Sequence, residues 1–105
     1  MKKENLFYVG SVEDTKKYGV IKAIILGRIR FWCELNEKEN NYFYYGVNWT
    51  GPLSHKDLSE QTGIPEKTIS RHIKELIDMN VIFKNVFNEK EFDRTGWYSI
   101  KTPNK

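Results

Sequence analysis

Lys67, Thr68, Ser70, Arg71 and Lys74 share one side of the stretch that follows Pro65. Ile69, Ile73, Leu76 and Ile77 recur at helical spacing and take the opposite side as an apolar stripe, so the polar set faces outward. Their chemistry is hydrogen-bond donation to acceptors and anions. The rigid fork of Arg71 matches the O6 and N7 acceptors of a guanine edge. Lys67 and Lys74 are point charges on flexible stems, suited to phosphate oxygens. The hydroxyls of Thr68 and Ser70 suit a base edge or a phosphate. Arg94 stands apart from them, in a charged loop near the C-terminus.

Catalytic chemistry is poorly served. His55 and His72 are the only histidines, and neither stands at a metal-ligand spacing from other donors. No glycine-rich loop is placed to cradle a phosphate. Ser70 and His72 are two residues apart on a helix and so face apart. Neither enzymatic activity nor a cofactor or metal is expected. His72 borders the apolar stripe and belongs at a helix contact, whereas His55 lies early in the preceding helix, facing solvent or approaching a phosphate.

The elements that must position these groups are marked by caps and turns. Ser54 followed by Asp57 makes a capping box, and Leu53 with Leu58 makes the accompanying hydrophobic staple. A helix therefore starts just after Ser54 and runs to about Thr62. Gly63 supplies a positive-φ turn, Ile64 plugs the junction, and Pro65 fits at the edge of the next helix. Asn80 is placed to end that helix in the left-handed region. Upstream, Ile21, Ile24, Ile25, Ile29 and Trp32, broadened by Val20, Leu26, Phe31 and Cys33, predict a largely buried helix from about Lys16 to Leu35. A polar stretch with three glutamates against one lysine follows and is expected to end it. Tyr42–Tyr45 and Gly46–Trp49 read as a strand or ordered loop delivering Trp49 into the core. No lysine or arginine lies between Tyr42 and Gly51 to hold a single-stranded backbone beside these aromatics. After Asn80, two runs rich in β-formers, Val81–Phe87 and Gly96–Lys101, flank the polar tip Asn88–Thr95 and predict a hairpin. Residues 102–105 read as a frayed end, and Leu6–Val9 as a short apolar island within an N-terminal extension, 1–13.

A chain of 105 residues with 39% hydrophobic and 14% aromatic residues is expected to form one folded domain over 1–105. Its net charge of +3 is compatible with nucleic acid without demanding it. The single cysteine, Cys33, excludes an intrachain disulfide and reads as a core residue. The N-terminal lysines are followed by no sustained apolar run, and Arg28 and Arg30 interrupt the longest apolar stretch, so neither a signal peptide nor a membrane span is expected. A cytoplasmic protein is the default expectation.

The segment LSEQTGIPEKTISRHIKELIDMNVI resembles the winged helix-turn-helix proteins of bacteria, archaea and their mobile elements. The closing FDRTGWYSI, with the aromatic stretch ending in NWTG, is similar to the N-terminal winged-helix domains of phage and plasmid replication proteins of the replisome-organiser type. The resemblance covers about residues 18–101. It implies a mainly α fold with a small β-hairpin wing (α+β) and three core helices. The helix-turn-helix would occupy 54–80 and the wing 81–101. It also implies that the second helix of the pair enters the major groove of duplex DNA, in replication initiation or transcriptional regulation. Replication proteins of that type carry a further region that contacts a helicase or its loader, and this chain stops just after the wing. It is then either a truncated domain or a small protein that kept the DNA-binding module alone.

Within a wing, Lys90 and Arg94 would reach the DNA backbone or minor groove. Here Glu89, Glu91 and Asp93 are interspersed with them, which leaves Arg94 as either a DNA contact or a partner of Asp93. The acidic stretches and small net charge motivate an alternative: a winged-helix interaction module that inhibits or recruits a host replication or defence protein. The expected partners are therefore double-stranded DNA, a second copy of the chain in a homodimer and, on the alternative reading, a host protein. The apolar N-terminal island or the long first helix would form the homodimer contact.

Overall fold

The computed structural model describes residues 11–104. The island Leu6–Val9 lies outside these residues. The elements in chain order are α1 (Val12–Tyr18), α2 (Val20–Glu39), β1 (Phe43–Tyr44), β2 (Val47–Asn48), α3 (His55–Thr62), α4 (Glu66–Asp78), β3 (Phe83–Asn85) and β4 (Trp97–Ser99). This is the mainly helical winged helix-turn-helix architecture, with α2, α3 and α4 as the core helices and β3–β4 as the wing.

The helical pair forms as its caps dictate. Asp57 N–H donates to Ser54 Oγ at 2.9 Å, and Ser54 N–H donates to the Asp57 carboxylate at 3.1 Å. Gly63 closes α3 at φ +80°, and Asn80 leaves the region after α4 at φ +61°. Pro65, at φ −58° and ψ 147°, stands immediately before α4, where its missing N–H costs no intrahelical bond. Ile69, Ile73 and Leu76 are buried, and they join Leu58 and Ile64 against Ile25, Leu26, Ile29 and Cys33 of α2. Ile77 is half-buried at the edge of the same cluster.

The helix expected over about residues 16–35 is instead two helices meeting at Gly19, whose φ of +91° breaks the backbone path. Ser11 caps α1 by accepting from Asp14 N–H at 2.9 Å. α1 buries none of its residues, so no apolar stripe advertised it. Val20, expected in the stripe, is 56% exposed because it sits at this break. At the other end α2 runs on to Glu39. Leu, Glu and Lys are good helix formers, and the buried Asn36 pins the last turns by donating to Trp49 O at 2.8 Å. Asn40, at φ +58°, then ends the helix. Within the core, Arg28 is buried. Its Nε and the Trp32 Nε1 both donate to Gln61 Oε1 at 3.0 Å, which joins α2 to α3.

Trp49 is fully buried, as expected, but in a satellite cluster with Val47, Trp97, Phe83 and Phe87 rather than in the main core. β1 and β2 form a tight hairpin with Phe43 opposite Asn48 and Tyr44 opposite Val47. Trp49 Nε1 donates back to Tyr44 O at 3.0 Å, which fixes the hairpin over the indole. The chain then runs beside β4. Thr50 N–H donates to Tyr98 O, Leu53 N–H donates to Gly96 O, and Thr50 Oγ1 accepts from Tyr98 N–H. The wing strands are shorter than the β-forming runs predict, with Phe83, Lys84 and Asn85 opposite Ser99, Tyr98 and Trp97. Asn88 organises the loop between them: its amide donates to the carbonyls of Asp93 and Thr95, and its Oδ1 accepts from Trp97 Nε1. The tail is not frayed throughout, since Asn104 N–H donates to Tyr45 O at 2.7 Å.

Candidate nucleic-acid interface

α4 buries one stripe and so must present the other. Lys67, Ser70, Arg71 and Lys74 are exposed on it, and Thr68 is half-buried at its margin. The sequence-derived set is thus brought together on one helix face, apart from Arg94. Glu66 occupies the first turn, where a negative charge suits the helix dipole, and Asp78 lies at the far end. Lys74 Nζ donates to the Asp78 carboxylate at 3.2 Å, with the two side chains 77% and 62% exposed. A pair that open contributes under about 1 kcal/mol, so an incoming phosphate can take the lysine.

Behind this face lies a polar cluster tying α4 to α2. Lys22, from α2, donates to the Glu75 carboxylate, and its Nζ lies 2.9 Å from His72 Nδ1. The other imidazole nitrogen, Nε2, lies 3.1 Å from Arg71 Nη2. The Lys22 and His72 side chains are only 12% and 15% exposed. Burial, then the charges of Lys22 and Arg71, push the His72 pKa below its ordinary value against the opposing pull of Glu75. The hydrogen bond from Lys22 holds the Glu75 carboxyl below the usual range. His72 therefore sits at the helix contact, as expected, but one ring nitrogen reaches the outer face.

Arg94 joins a second positive region. A shallow groove of about 270 Å³ is lined by Ser54, His55 and Lys56 at the start of α3, by Glu66 at the start of α4, and by Lys84, Arg94 and Tyr98 of the wing. Three cations face one carboxylate there, and His55 is not a fourth. Burial and the Lys84 charge lower its pKa against the pull of Glu66, which leaves it neutral at pH 7. Arg94 does not pair with Asp93, whose carboxylate is occupied by the Thr95 N–H at 3.1 Å and hydroxyl at 2.8 Å. Those bonds hold the Asp93 carboxyl below its ordinary range. Gly96 matters to the groove because a Cβ there would come within 2.8 Å of Lys84 Cε and 2.9 Å of the Tyr98 hydroxyl. Lys56 and Lys84 are groove cations that the sequence reading missed. The signal for Lys84 was its place between Phe83 and Asn85, where strand alternation turns the middle residue outward.

The opposite end of α2 differs in charge and texture. Glu34, Glu37 and Glu39 stand exposed in its last turns, where the helix dipole favours cations. Beside them the hairpin exposes Tyr42, Phe43, Tyr44 and Tyr45 at 41%, 61%, 44% and 49%. Tyr44 stacks on Phe87 at 4.6 Å between ring centroids. A pocket of about 190 Å³ lies between Phe43, Glu34, Glu37, Lys101 and Cys33. Burial pushes the Cys33 thiol up to about 12, so it is protonated and unreactive at neutral pH. Among the described residues, no group of three or more histidine, cysteine or carboxylate residues is placed to hold a metal ion. Nor is any helix there long and apolar enough to cross a membrane.

Residues 48–82 match the family model described as winged helix-turn-helix DNA-binding. The match spans about a third of the chain and takes in α3, the Gly63 turn and all of α4. Comparison with curated proteins and with solved structures finds no match.

Proposed function

We propose that this chain binds duplex DNA with α4 in the major groove, Arg71 on a guanine edge and Lys67 and Lys74 on phosphates. Thr68 and Ser70 supply shorter hydroxyl contacts at the same face. Lys56, Lys84 and Arg94 hold the backbone where it passes between α3 and the wing. The observation that carries this reading is that Lys67, Arg71 and Lys74 are exposed on one face of α4 while Lys56, Lys84 and Arg94 line the neighbouring wing groove. The matched winged helix-turn-helix segment supports it. On this reading residues 1–105 act as one winged-helix unit in the cytoplasm, engaging DNA half-sites as a homodimer. The likeness of its NWTG and FDRTGWYSI stretches to phage and plasmid replication proteins supports a role in a mobile element, in replication initiation or transcriptional regulation. A neighbouring helicase-loader gene would favour replication, and a divergent promoter would favour regulation.

Fluorescence anisotropy against a duplex selected by the protein from a random pool tests the binding claim. Each phosphate contact should contribute about −0.9 to the slope of log K against log salt concentration. Arg71→Ala should weaken the selected duplex more than a random one. Binding without salt sensitivity, or undiminished in Arg71→Ala, would remove the reading.

A second reading has its own observation, the exposed aromatic hairpin beside Glu34 and Glu37. Tyrosine and phenylalanine are enriched at protein interfaces, and carboxylates repel DNA. This end would engage a basic surface of a host replication or defence protein. Capture of one such protein that survives nuclease treatment and Arg71→Ala, and is lost in Phe43→Ser, would favour it.

A further inference from the structure

Lys22 Nζ lies 2.9 Å from His72 Nδ1. An ammonium has only hydrogens to offer, so Nδ1 must be the accepting nitrogen. Glu75 takes a second hydrogen from the same ammonium and holds it in place. A neutral imidazole accepting at Nδ1 carries its proton on Nε2, and Nε2 faces Arg71 Nη2 at 3.1 Å. The guanidinium also has only hydrogens to offer. Two donors therefore converge at the outer face of α4, and neither can satisfy the other. The opposite tautomer would serve Arg71 but would set an N–H against the Lys22 ammonium in a half-buried contact, where a mismatch costs more than at the surface. The charged groups facing His72 are Lys22 from α2 and Arg71 and Glu75 from its own helix. Two of the three are cations, which disfavours a doubly protonated ring.

We propose that His72 Nε2–H and the Arg71 guanidinium form a paired donor site that closes on one acceptor of the duplex, with Lys22 fixing the tautomer from behind. The proposal rests on the duplex-DNA reading above. In the complex a phosphate oxygen or a guanine O6 or N7 fills the acceptor role. His72 then touches DNA itself, and Lys22 is a positioning residue that never does. The arrangement parallels the use of one imidazole nitrogen to set what the other presents.

Nitrogen NMR of the histidine rings in the free protein reads the tautomer directly, at a pH where the ring is neutral. The expected spectrum has His72 unprotonated at Nδ1 and protonated at Nε2, and loses that preference in Lys22→Met but keeps it in Lys22→Arg. In anisotropy titrations, His72→Phe should lower affinity for the selected duplex roughly tenfold, the scale of a hydrogen bond involving a charged group. Lys22→Met should lower it several-fold, with rescue by Lys22→Arg. An equal loss on the selected and a random duplex identifies a phosphate oxygen, and a loss confined to the selected duplex identifies a base edge. Should His72→Phe not fold by circular dichroism, the Lys22 pair and the spectrum decide. The proposal is overturned by protonation at Nδ1. It is equally overturned by wild-type affinity in folded His72→Phe or Lys22→Met while the protein still binds duplex DNA in a salt-sensitive way. Loss of all such binding in the wild type would overturn the duplex-DNA reading too, whatever the spectrum shows.

Discussion

The two ends of α2 differ in what surrounds them. Near Lys22 the helix supports α4, whose outward face carries Lys67, Arg71 and Lys74 interspersed with Glu66, Glu75 and Asp78, all held outward by a well-filled apolar stripe. Near Glu37 the same helix exposes three glutamates to one lysine, Lys38, and leans on a hairpin whose aromatic rings stay open to solvent. Fifteen helical residues separate these positions, or about 22 Å at the helical rise. A ligand on one end can therefore leave the other uncovered. The glutamates in the last turns of α2 oppose the helix dipole, with Lys38 the one basic residue there. Local contradiction of that kind is expected where a surface serves binding rather than stability.

The largest expected effect breaks the structural link between the two ends. Trp49 is fully buried under the hairpin and packs with Trp97 and Phe87. Trp49→Ala should cost about 3–5 kcal/mol of unfolding free energy in denaturant titration, and a cost under about 1 kcal/mol would show the satellite cluster to be dispensable. Next comes the basic end. Arg71→Ala should weaken binding to the selected duplex by about 1–3 kcal/mol, whereas Phe43→Ser should leave it unchanged. Ser54→Ala removes the reciprocal cap of α3 and should cost about 0.5–2 kcal/mol in the same denaturant assay.

Proton linkage sharpens the comparison further. The folded-state pKa values of His72 and His55 are both lowered, so the unfolded chain binds more protons in the histidine range. Stability should be fully present above the ordinary histidine value of 6.5 and fall as pH drops through it toward the folded values. His72→Gln should flatten that fall in thermal melts across the same window. The smallest effect belongs to the acidic end. The double substitution Glu34→Lys, Glu37→Lys lies about 18–22 Å along α2 from Lys22 at the helical rise, more than a Debye length at physiological salt. It should raise duplex affinity only a few-fold at low salt, with the gain vanishing at higher salt.

How far the sequence discloses this arrangement depends on which signals are local. The helical pair was legible residue by residue because Ser54, Asp57, Gly63 and Asn80 act through their immediate neighbours. The outward face of α4 followed by geometry from Ile69, Ile73 and Leu76. α1 was not legible, since a helix that buries nothing has no periodic stripe. The wing groove was hidden for a different reason. His55, Lys56, Glu66, Lys84 and Arg94 come from separate elements, and only tertiary packing assembles them. The acidity of the wing tip in sequence left Arg94 as either a DNA contact or a partner of Asp93. The structure shows no such pair: the Asp93 carboxylate is spent on Thr95 while Arg94 lines the groove. The aromatic stretch was half read: Trp49 is core, whereas the four rings before it remain exposed because the hairpin is only two residues deep on each strand.

Chemical-shift mapping tests the central claim most directly. Backbone amide signals of the labelled chain would be followed as the selected duplex is added at moderate salt. The account predicts that shifts concentrate on Lys67–Lys74 and on Lys56, Lys84 and Arg94, with Phe43–Val47 and Glu34–Glu39 unmoved. Shifts centred on the aromatic hairpin, with α4 silent, would contradict it.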